Sequence, residues 1–256
     1  MDLHPLAHGF ADAADAYELG RPGYPPEAIE VLCDELRLAP GARVADVGAG
    51  TGKLTRALLA AGLDVVAVEP ADGMRARLRE ELGVVEARAG TAEALPLPDG
   101  SVDAVAVGEA FHWFDAARAV PELARVIRPG GGLGVLAHAA AGDSALEGRA
   151  WAVELNQVLR AVRPTDHPAF VQEGSLSDPI EAHDAFGPVM RTDVTHIHRA
   201  DRAAMVASVA SMSFVGVMAD DERRKLLEQI DRLLAAHDLE TFETPLRTTV
   251  WTARRR

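Results

Sequence analysis

Short apolar runs alternate with helical patterns between residues 27 and 138 of this 256-residue chain. Such alternation is typical of a doubly wound parallel sheet whose strands are covered by helices on both faces. Pro121 lies inside the last helical pattern of this region and is expected to shorten or kink that helix. The pattern predicts strands at 43–47, 64–69, 84–88, 102–107 and 133–137 and helices at 27–36, 53–61, 73–82 and 116–126.

The alternation of apolar runs and helical patterns ends after residue 138. Helical spacing dominates from there, and Pro164, Pro168, Gly174 and Pro179 interrupt it. Two apolar runs near the end of the chain predict a final pair of strands. The expected helices lie at 145–162, 201–213 and 220–236, and the expected strands at 189–198 and 244–252.

Three glycines follow the first predicted strand at every second position, Gly48, Gly50 and Gly52. Glycine allows positive φ and lets a ligand lie against the main chain. The next predicted helix offers free N–H groups at its start. This strand, glycine turn and helix predict a nucleotide-like cofactor at the carboxyl edge of the sheet.

Two common nucleotide motifs fit this turn poorly. A phosphate-binding P-loop requires Gly-x-x-x-x-Gly-Lys-Ser/Thr, but Leu54 follows Lys53, and residue 47 is Val. A dinucleotide turn places a third glycine where this chain has Lys53. An NAD(P)-dependent reductase therefore stays open only as an alternative.

The stretch Asp46-Val47-Gly48-Ala49-Gly50-Thr51-Gly52 resembles the first motif of the class I S-adenosylmethionine-dependent methyltransferases. The resemblance implies that Asp46 interacts with the methionine moiety of S-adenosyl-L-methionine, directly or through water. It also implies that Gly48, Gly50, Thr51 and Gly52 make room for that moiety.

Further motifs that resemble those of the same family follow in order along the chain. Glu69 ends the second strand 21 residues after Gly48, near the ~20 expected for an acid that accepts hydrogen bonds from ribose hydroxyls. By resemblance to the family, Met74 covers the adenine, and Thr91-Ala92-Glu93 form the loop at its edge. Thr91 stands where the family usually has Asp. Met74 can equally be core filler, because Met packs in many environments.

Two segments resemble a small-molecule subgroup that includes trans-aconitate methyltransferase-like proteins. The leader Tyr17 to Pro26 implies that Tyr17 and Arg21 hold the methionine carboxylate, and guanidinium groups pair well with carboxylates. The second segment, Glu109 to Asp115, follows the fourth strand and bears the subgroup's aromatic pattern. From these segments we expect a cofactor contact from Glu109 and a substrate pocket lined by Tyr24, Phe111, His112 and Trp113.

His112 is the candidate catalytic residue. Imidazole can accept a proton near neutral pH. The same side chain can instead be a wall of the pocket or a structural contact, since a base must first reach the reacting atom. The sequence leaves both roles open.

The composition of the chain limits the classes of partner and the locations that we expect. The net charge of −13 disfavours nucleic acid, because an acidic chain repels phosphate backbones. No apolar run is long enough for a membrane span, and the first residues do not resemble a signal peptide. One cysteine, Cys33, agrees with a cytoplasmic location. The histidines at 138, 167, 183, 196 and 198 fall in or near the predicted cap without completing a metal site.

The sequence thus predicts an α/β protein with a Rossmann-like, mostly parallel sheet and an antiparallel last strand. Residues 1–138 and 186–256 are expected to form the cofactor-binding core, with leader 1–26 over the cofactor, and 139–185 and 200–238 a helical cap. The expected activity is methyl transfer to an O, N or C nucleophile of a small molecule. A reductase and a non-catalytic S-adenosylmethionine-binding module are the alternatives, and the oligomeric state is not predicted.

Overall fold

Seven strands form a single sheet in a computed structural model that describes residues 14–83, 85–141, 149–164 and 176–256. The strand order is β3-β2-β1-β4-β5-β7-β6, and the last strands run antiparallel. The predicted fold class is therefore confirmed. The strands are β1 Arg43–Val47, β2 Asp64–Val68, β3 Glu86–Arg88, β4 Val102–Gly108, β5 Ile127–Ala140, β6 Met190–Ala200 and β7 Phe242–Arg254.

The parallel half of the sheet is continuous from β3 to β5. In β1 the four residues from Val44 to Val47 are all buried, as expected for a central strand covered on both faces. The chain crosses over between β1 and β4, which are neighbours in the sheet. Ligands bind at the carboxyl ends of strands at such a switch point, and the glycine turn lies there.

The helices agree with the predicted pattern over most of the sheet region. Helix α5 covers the whole predicted range, so Pro121 does not shorten it. Residues 145–148 of the predicted helix 145–162 lie outside the described residues, as does position 84 of the predicted strand 84–88. The helices are α1 Ala14–Gly20, α2 Pro26–Leu36, α3 Lys53–Ala60, α4 Asp72–Leu82, α5 Ala116–Val126, α6 Ala150–Val162, α7 Asp178–Glu181, α8 Arg202–Ala210, α9 Ser213–Gly216 and α10 Asp220–Ala235.

Several elements differ from the prediction. Strand β5 begins at Ile127, six residues before the predicted start at 133, because Ile127 already pairs with Val102 of β4, ahead of a register shift between Val102 and Ala104. The predicted helix 201–213 ends at Ala210, and α9 follows as a separate short helix. Helices α1 and α7 were not predicted from the pattern.

The chain divides into two compact units. The sheet unit comprises residues 23–138, 168–194 and 248–256, and apolar clusters cover both faces of its sheet. The helical unit comprises residues 1–22, 139–167 and 195–247, and its core joins α6, α8, α9 and α10. No helix in the described ranges is long and apolar enough to cross a membrane.

This division differs from the predicted one in the leader, in residues 176–185, and in residues 195–199 and 239–247, which were predicted as core and belong to the helical unit. Residues 14–22 of the leader belong to the helical unit, because Gly20 at the end of α1 lies directly against the backbone of Ala207 and Ser208 in α8. Residues 176–185, predicted as cap, belong to the sheet unit. Ile180 is buried in a cluster on one face of the sheet.

Candidate functional site

The glycine turn between β1 and α3 requires its glycines. Gly48, Gly50 and Gly52 all have positive φ, at 73°, 58° and 93°. A Cβ on Gly48 would lie 2.6 Å from the Cβ of Ala110, and one on Gly52 would lie 2.8 Å from Leu82 Cδ1. The turn therefore combines a backbone conformation that favours glycine with close packing on two sides.

Asp46 lies beneath this turn and is fully buried. Its Oδ2 accepts a hydrogen bond from the Thr55 hydroxyl at 2.5 Å. Within the described part of the chain, no donor reaches Oδ1. Burial raises the pKa of Asp46 to about 7, with a further increase from the charge of Glu69, while the Thr55 contact acts in the opposite direction. An orphaned buried carboxylate oxygen calls for an explanation, and a ligand donor is one.

Glu69 follows β2 and connects the turn to the start of α4. Its Oε2 accepts from the Gly50 N–H and its Oε1 from the Ala71 N–H, both at 2.9 Å. The side chain is 7% exposed, and burial raises its pKa, while the two backbone donors and the charge of Arg75 lower it. A carboxylate has about four lone-pair positions, so each oxygen can accept a second hydrogen bond.

The residues predicted to surround adenine are buried to different degrees. Met74 on α4 is 3% exposed, and Thr91 and Ala92 are buried. Glu93 is half-buried, and its Oε1 accepts from the Asp115 N–H at 3.0 Å, which caps the start of α5. This contact gives Glu93 a structural role that was not predicted.

The segment after β4 lies beside the glycine turn. Glu109 has a φ of 55°, and its carboxylate accepts the backbone N–H of His138 at the end of β5. Ala110 and Phe114 are the side chains that a Cβ on Gly48 would meet. The structure therefore brings the predicted segment 109–114 next to the predicted cofactor turn.

The aromatic residues of this segment are arranged by a 3₁₀ turn at Phe111–Trp113. Phe111 is buried, with its ring centroid 5.8 Å from that of Phe114. His112 is half-buried and its ring lies 4.9 Å from that of Trp113. Its assignment as base or pocket wall stays a prediction.

His138 lies at the edge of the site, although no role there was predicted for it from the sequence. It is the last residue of the predicted core range 1–138, and it stacks on Tyr24 with ring centroids 4.7 Å apart. Its Nδ1 lies 2.9 Å from the Thr248 hydroxyl. Tyr24 itself lies over the end of β4. Its hydroxyl is so close to Gly108 that a Cβ on this glycine would lie 2.3 Å from it. Extending the predicted strand 133–137 by one residue would have reached His138.

Tyr17 and Arg21 lie in the helical unit. The Arg21 Nε donates to the Ser211 hydroxyl at 2.8 Å, and the guanidinium lies 5.6 Å from the centre of the Tyr17 ring. These contacts hold the pair together. The role predicted for Tyr17 and Arg21 stays a prediction.

The sheet, the crossover between β1 and β4, the glycine turn and two buried acids at the strand ends define a class of protein. They are the features of a Rossmann-like enzyme that binds a cofactor containing a nucleoside. The residues also fit such a cofactor, since Glu69 can accept from vicinal hydroxyls and Asp46 Oδ1 can accept from a cationic donor.

Comparison with known proteins identifies the family. A family model described as "Methyltransferase domain" matches residues 45–135. An uncharacterized methyltransferase of Mycobacterium tuberculosis is 42% identical over 233 residues, which cover 91% of this chain and 88% of that protein. The chain belongs to the class I S-adenosylmethionine-dependent methyltransferases, and it is a methyltransferase enzyme.

Two solved structures assigned as methyltransferases are similar to this chain. A protein of Anabaena variabilis, assigned as a methyltransferase of an antibiotic biosynthesis pathway, has a TM-score of 0.61 and 25% identity, covering 88% of this chain and 96% of its own. A protein of Anaeromyxobacter dehalogenans, assigned to the type II methyltransferases, has a TM-score of 0.61 and 26% identity, covering 91% and 96%. The family favours the methyltransferase interpretation over the reductase alternative.

Proposed function

We propose that this enzyme binds S-adenosyl-L-methionine at the glycine turn and transfers its methyl group to an O, N or C nucleophile of a small molecule. The observation that carries the proposal is the pair of buried acids at the carboxyl edge of the sheet. Asp46 has an oxygen that no donor of the described residues reaches, and Glu69 spans from the turn to α4. The subgroup resembling trans-aconitate methyltransferase-like proteins is part of this proposal.

The proposed contacts divide the cofactor into three parts. Glu69 accepts from the ribose hydroxyls, while Asp46 takes the methionine ammonium group, directly or through water. Gly48, Gly50, Thr51 and Gly52 leave room for the amino acid. Residues 91–93 and Met74 surround the adenine, Glu109 borders the turn, and Tyr17 and Arg21 are proposed to hold the methionine carboxylate.

The cofactor, when bound, supplies a methyl group already activated by a sulfonium. The protein must therefore hold the nucleophile in line with that methyl group and exclude water, and such positioning can contribute about 7–11 kcal/mol. Phe111, Trp113 and Tyr24 are proposed as the apolar walls. His112 either receives a proton from the acceptor or forms part of the wall, depending on whether the acceptor carries a proton to lose.

A small-molecule acceptor is favoured over nucleic acid by charge. The chain has 39 acidic and 26 basic side chains, which gives a net charge of −13. Such a protein would have to overcome repulsion from a phosphate backbone before binding it. A cytoplasmic location is proposed on the same sequence grounds as before.

Isothermal titration calorimetry with S-adenosylmethionine and S-adenosylhomocysteine tests the proposal. We expect Asp46→Ala and Glu69→Ala each to weaken binding about tenfold or more, because each removes a charged hydrogen-bond acceptor. The matched control is Asp64→Ala, which removes an exposed acid at the other end of β2, where it pairs with Arg43. Absence of heat with wild-type protein, or equal affinity in all variants, would contradict the proposal.

A further inference from the structure

Arg75 on α4 is a buried cation that no sequence motif pointed to. Its side chain is held beneath the segment that follows β2, and the residue is only 8% exposed. Arginine is almost never buried without partners. The Arg75 Nη1 donates to the carbonyl of Glu69 at 2.7 Å and to that of Pro70 at 3.0 Å, and Nη2 donates to the Asp72 carboxylate.

These contacts fix the backbone on which Glu69 depends. The carbonyls of Glu69 and Pro70 are held directly by the guanidinium. The next N–H in the chain, that of Ala71, donates to Glu69 Oε1 at 2.9 Å. Arg75 therefore orients the short segment that in turn orients the Glu69 carboxylate toward the Gly50 N–H.

The positive charge of Arg75 also acts on the Glu69 carboxylate. Burial raises the pKa of Glu69, and the positive charge of Arg75 acts against that increase. Among the described residues, Asp46 also interacts with Glu69 by charge, which adds to the effect of burial in raising the pKa of Asp46, and Asp72 pairs with Arg75. From β3, Arg88 contributes its carbonyl to the Glu69 N–H, while its guanidinium pairs with Glu86.

We propose that Arg75 is a positioning residue that sets the affinity for the adenosine part of the cofactor by holding Glu69 and its backbone in place. The inference rests on the proposed function, because Glu69 is the group proposed to accept from the ribose. Arg75 acts through Glu69. Without its charge, Glu69 would take up a proton at higher pH and lose one acceptor for the ribose hydroxyls.

Calorimetry with 5′-methylthioadenosine and S-adenosylhomocysteine between pH 6 and pH 8.5 tests this inference. Methylthioadenosine has the ribose and adenine but no amino acid, so the titration of Asp46 affects its binding less. We expect Arg75→Gln to weaken both ligands about tenfold or more, because hydrogen bonds to charged groups are strong. The loss should be largest at low pH, where Glu69 without a neighbouring cation is protonated first.

Two further variants separate positioning from a general effect on the fold. Arg75→Lys keeps the charge and loses the planar fork, so its affinity should lie between those of wild type and Arg75→Gln, with the wild-type pH dependence. Arg79→Gln is the matched control. Arg79 lies one turn further along α4 and also donates to a backbone carbonyl, that of Ala87 at 2.8 Å. It should bind both ligands as wild type does.

The outcomes are distinguishable. If wild-type protein binds neither ligand, the proposed function fails and this inference fails with it. If wild type binds, but Arg75→Gln and Arg75→Lys keep its affinity and pH dependence, the inference alone is wrong. Circular dichroism of each variant shows which are folded, and Arg75→Lys decides the question if Arg75→Gln is not. In that case Arg75→Lys must bind both ligands more weakly than wild type, and wild-type affinity would overturn the inference.

Discussion

Asp46 shows most clearly how one residue can oppose stability while serving a site. The fully buried carboxylate has an oxygen that no described residue satisfies, and its pKa is raised to about 7 from an ordinary value of 3.8. Ionising such a group in the interior is unfavourable unless a cation or donor compensates it. A cationic ligand would provide that compensation.

This arrangement predicts a pH-dependent stability for the ligand-free protein. Because the folded-state pKa of Asp46 is raised, its protonated form stabilises the fold below about pH 4, and that contribution is lost as pH rises toward 7. Asp46→Asn removes the titration and can still accept from the Thr55 hydroxyl. We expect it to be more stable than wild type at pH 8 by a few kcal/mol, since one pKa unit corresponds to about 1.4 kcal/mol.

Urea unfolding of the ligand-free proteins at pH 5.5 and pH 8 checks this expectation. The advantage of Asp46→Asn should be larger at pH 8 than at pH 5.5, and the same variant should bind S-adenosylmethionine more weakly. An equal difference in stability at both pH values would show that Asp46 does not titrate in this range.

At the scale of elements, the glycine turn connects a strand, a helix and a loop at one edge of the sheet. It leaves β1, starts α3 and contacts the segment after β4 through Ala110 and Phe114. Glu69 adds a fourth connection, because its carboxylate bonds to the turn at Gly50. The turn thus depends on both conformation and close packing.

Gly48→Ala tests this double requirement. The substitution places a side chain at a φ of 73° and 2.6 Å from Ala110 Cβ, so we expect a loss of more than the ~1–2 kcal/mol that the conformation alone costs. Gly41→Ala is the matched control, since Gly41 has a φ of 83° but no atom within 4 Å of the added Cβ. Thermal unfolding should show a larger loss for Gly48→Ala, together with weaker cofactor binding. Equal losses for the two variants would mean that the contact with Ala110 adds nothing.

The elements that the sequence could predict are those whose pattern is local. Strands β1, β2 and β4 and helices α2 to α5 are short amphipathic or apolar runs bounded by glycine, proline or polar residues, and their positions agree within one or two residues. The early start of β5 could not be predicted in this way, because it depends on the pairing of Ile127 with Val102 of β4 across an irregular register.

The residues of the candidate site likewise divide into those that a local sequence pattern predicts and those that it does not. Asp46, Glu69 and the glycines follow from spacing along the chain, and the structure brings them together at one edge of the sheet. Arg75 and His138 could not be assigned from the sequence, because their relevance comes from contacts with the Glu69 carbonyl and the Tyr24 ring. Spacing predicts which strand end a residue follows, but not which side chain a helix places beneath it.

For the whole molecule, the sheet unit carries the two acids, the glycine turn and the aromatic segment, while Tyr17 and Arg21 belong to the helical unit. Three strands, β5, β6 and β7, pass through both units. The sequence predicted a cofactor-binding core and a helical cap, and this assignment stays a prediction. It missed the inclusion of the leader in the helical unit, which depends on the packing of Gly20 against α8.

The central claim is that the edge of the sheet at β1 and β2 holds the adenosine and methionine of the cofactor. A crystal structure of the protein with S-adenosylhomocysteine tests it most directly. We expect the ribose hydroxyls within hydrogen-bond distance of the Glu69 carboxylate, and the amino acid against the Gly48–Gly52 turn with its ammonium group directed to Asp46. Ligand bound elsewhere on the chain, or in this turn with its ribose away from Glu69, would contradict this claim.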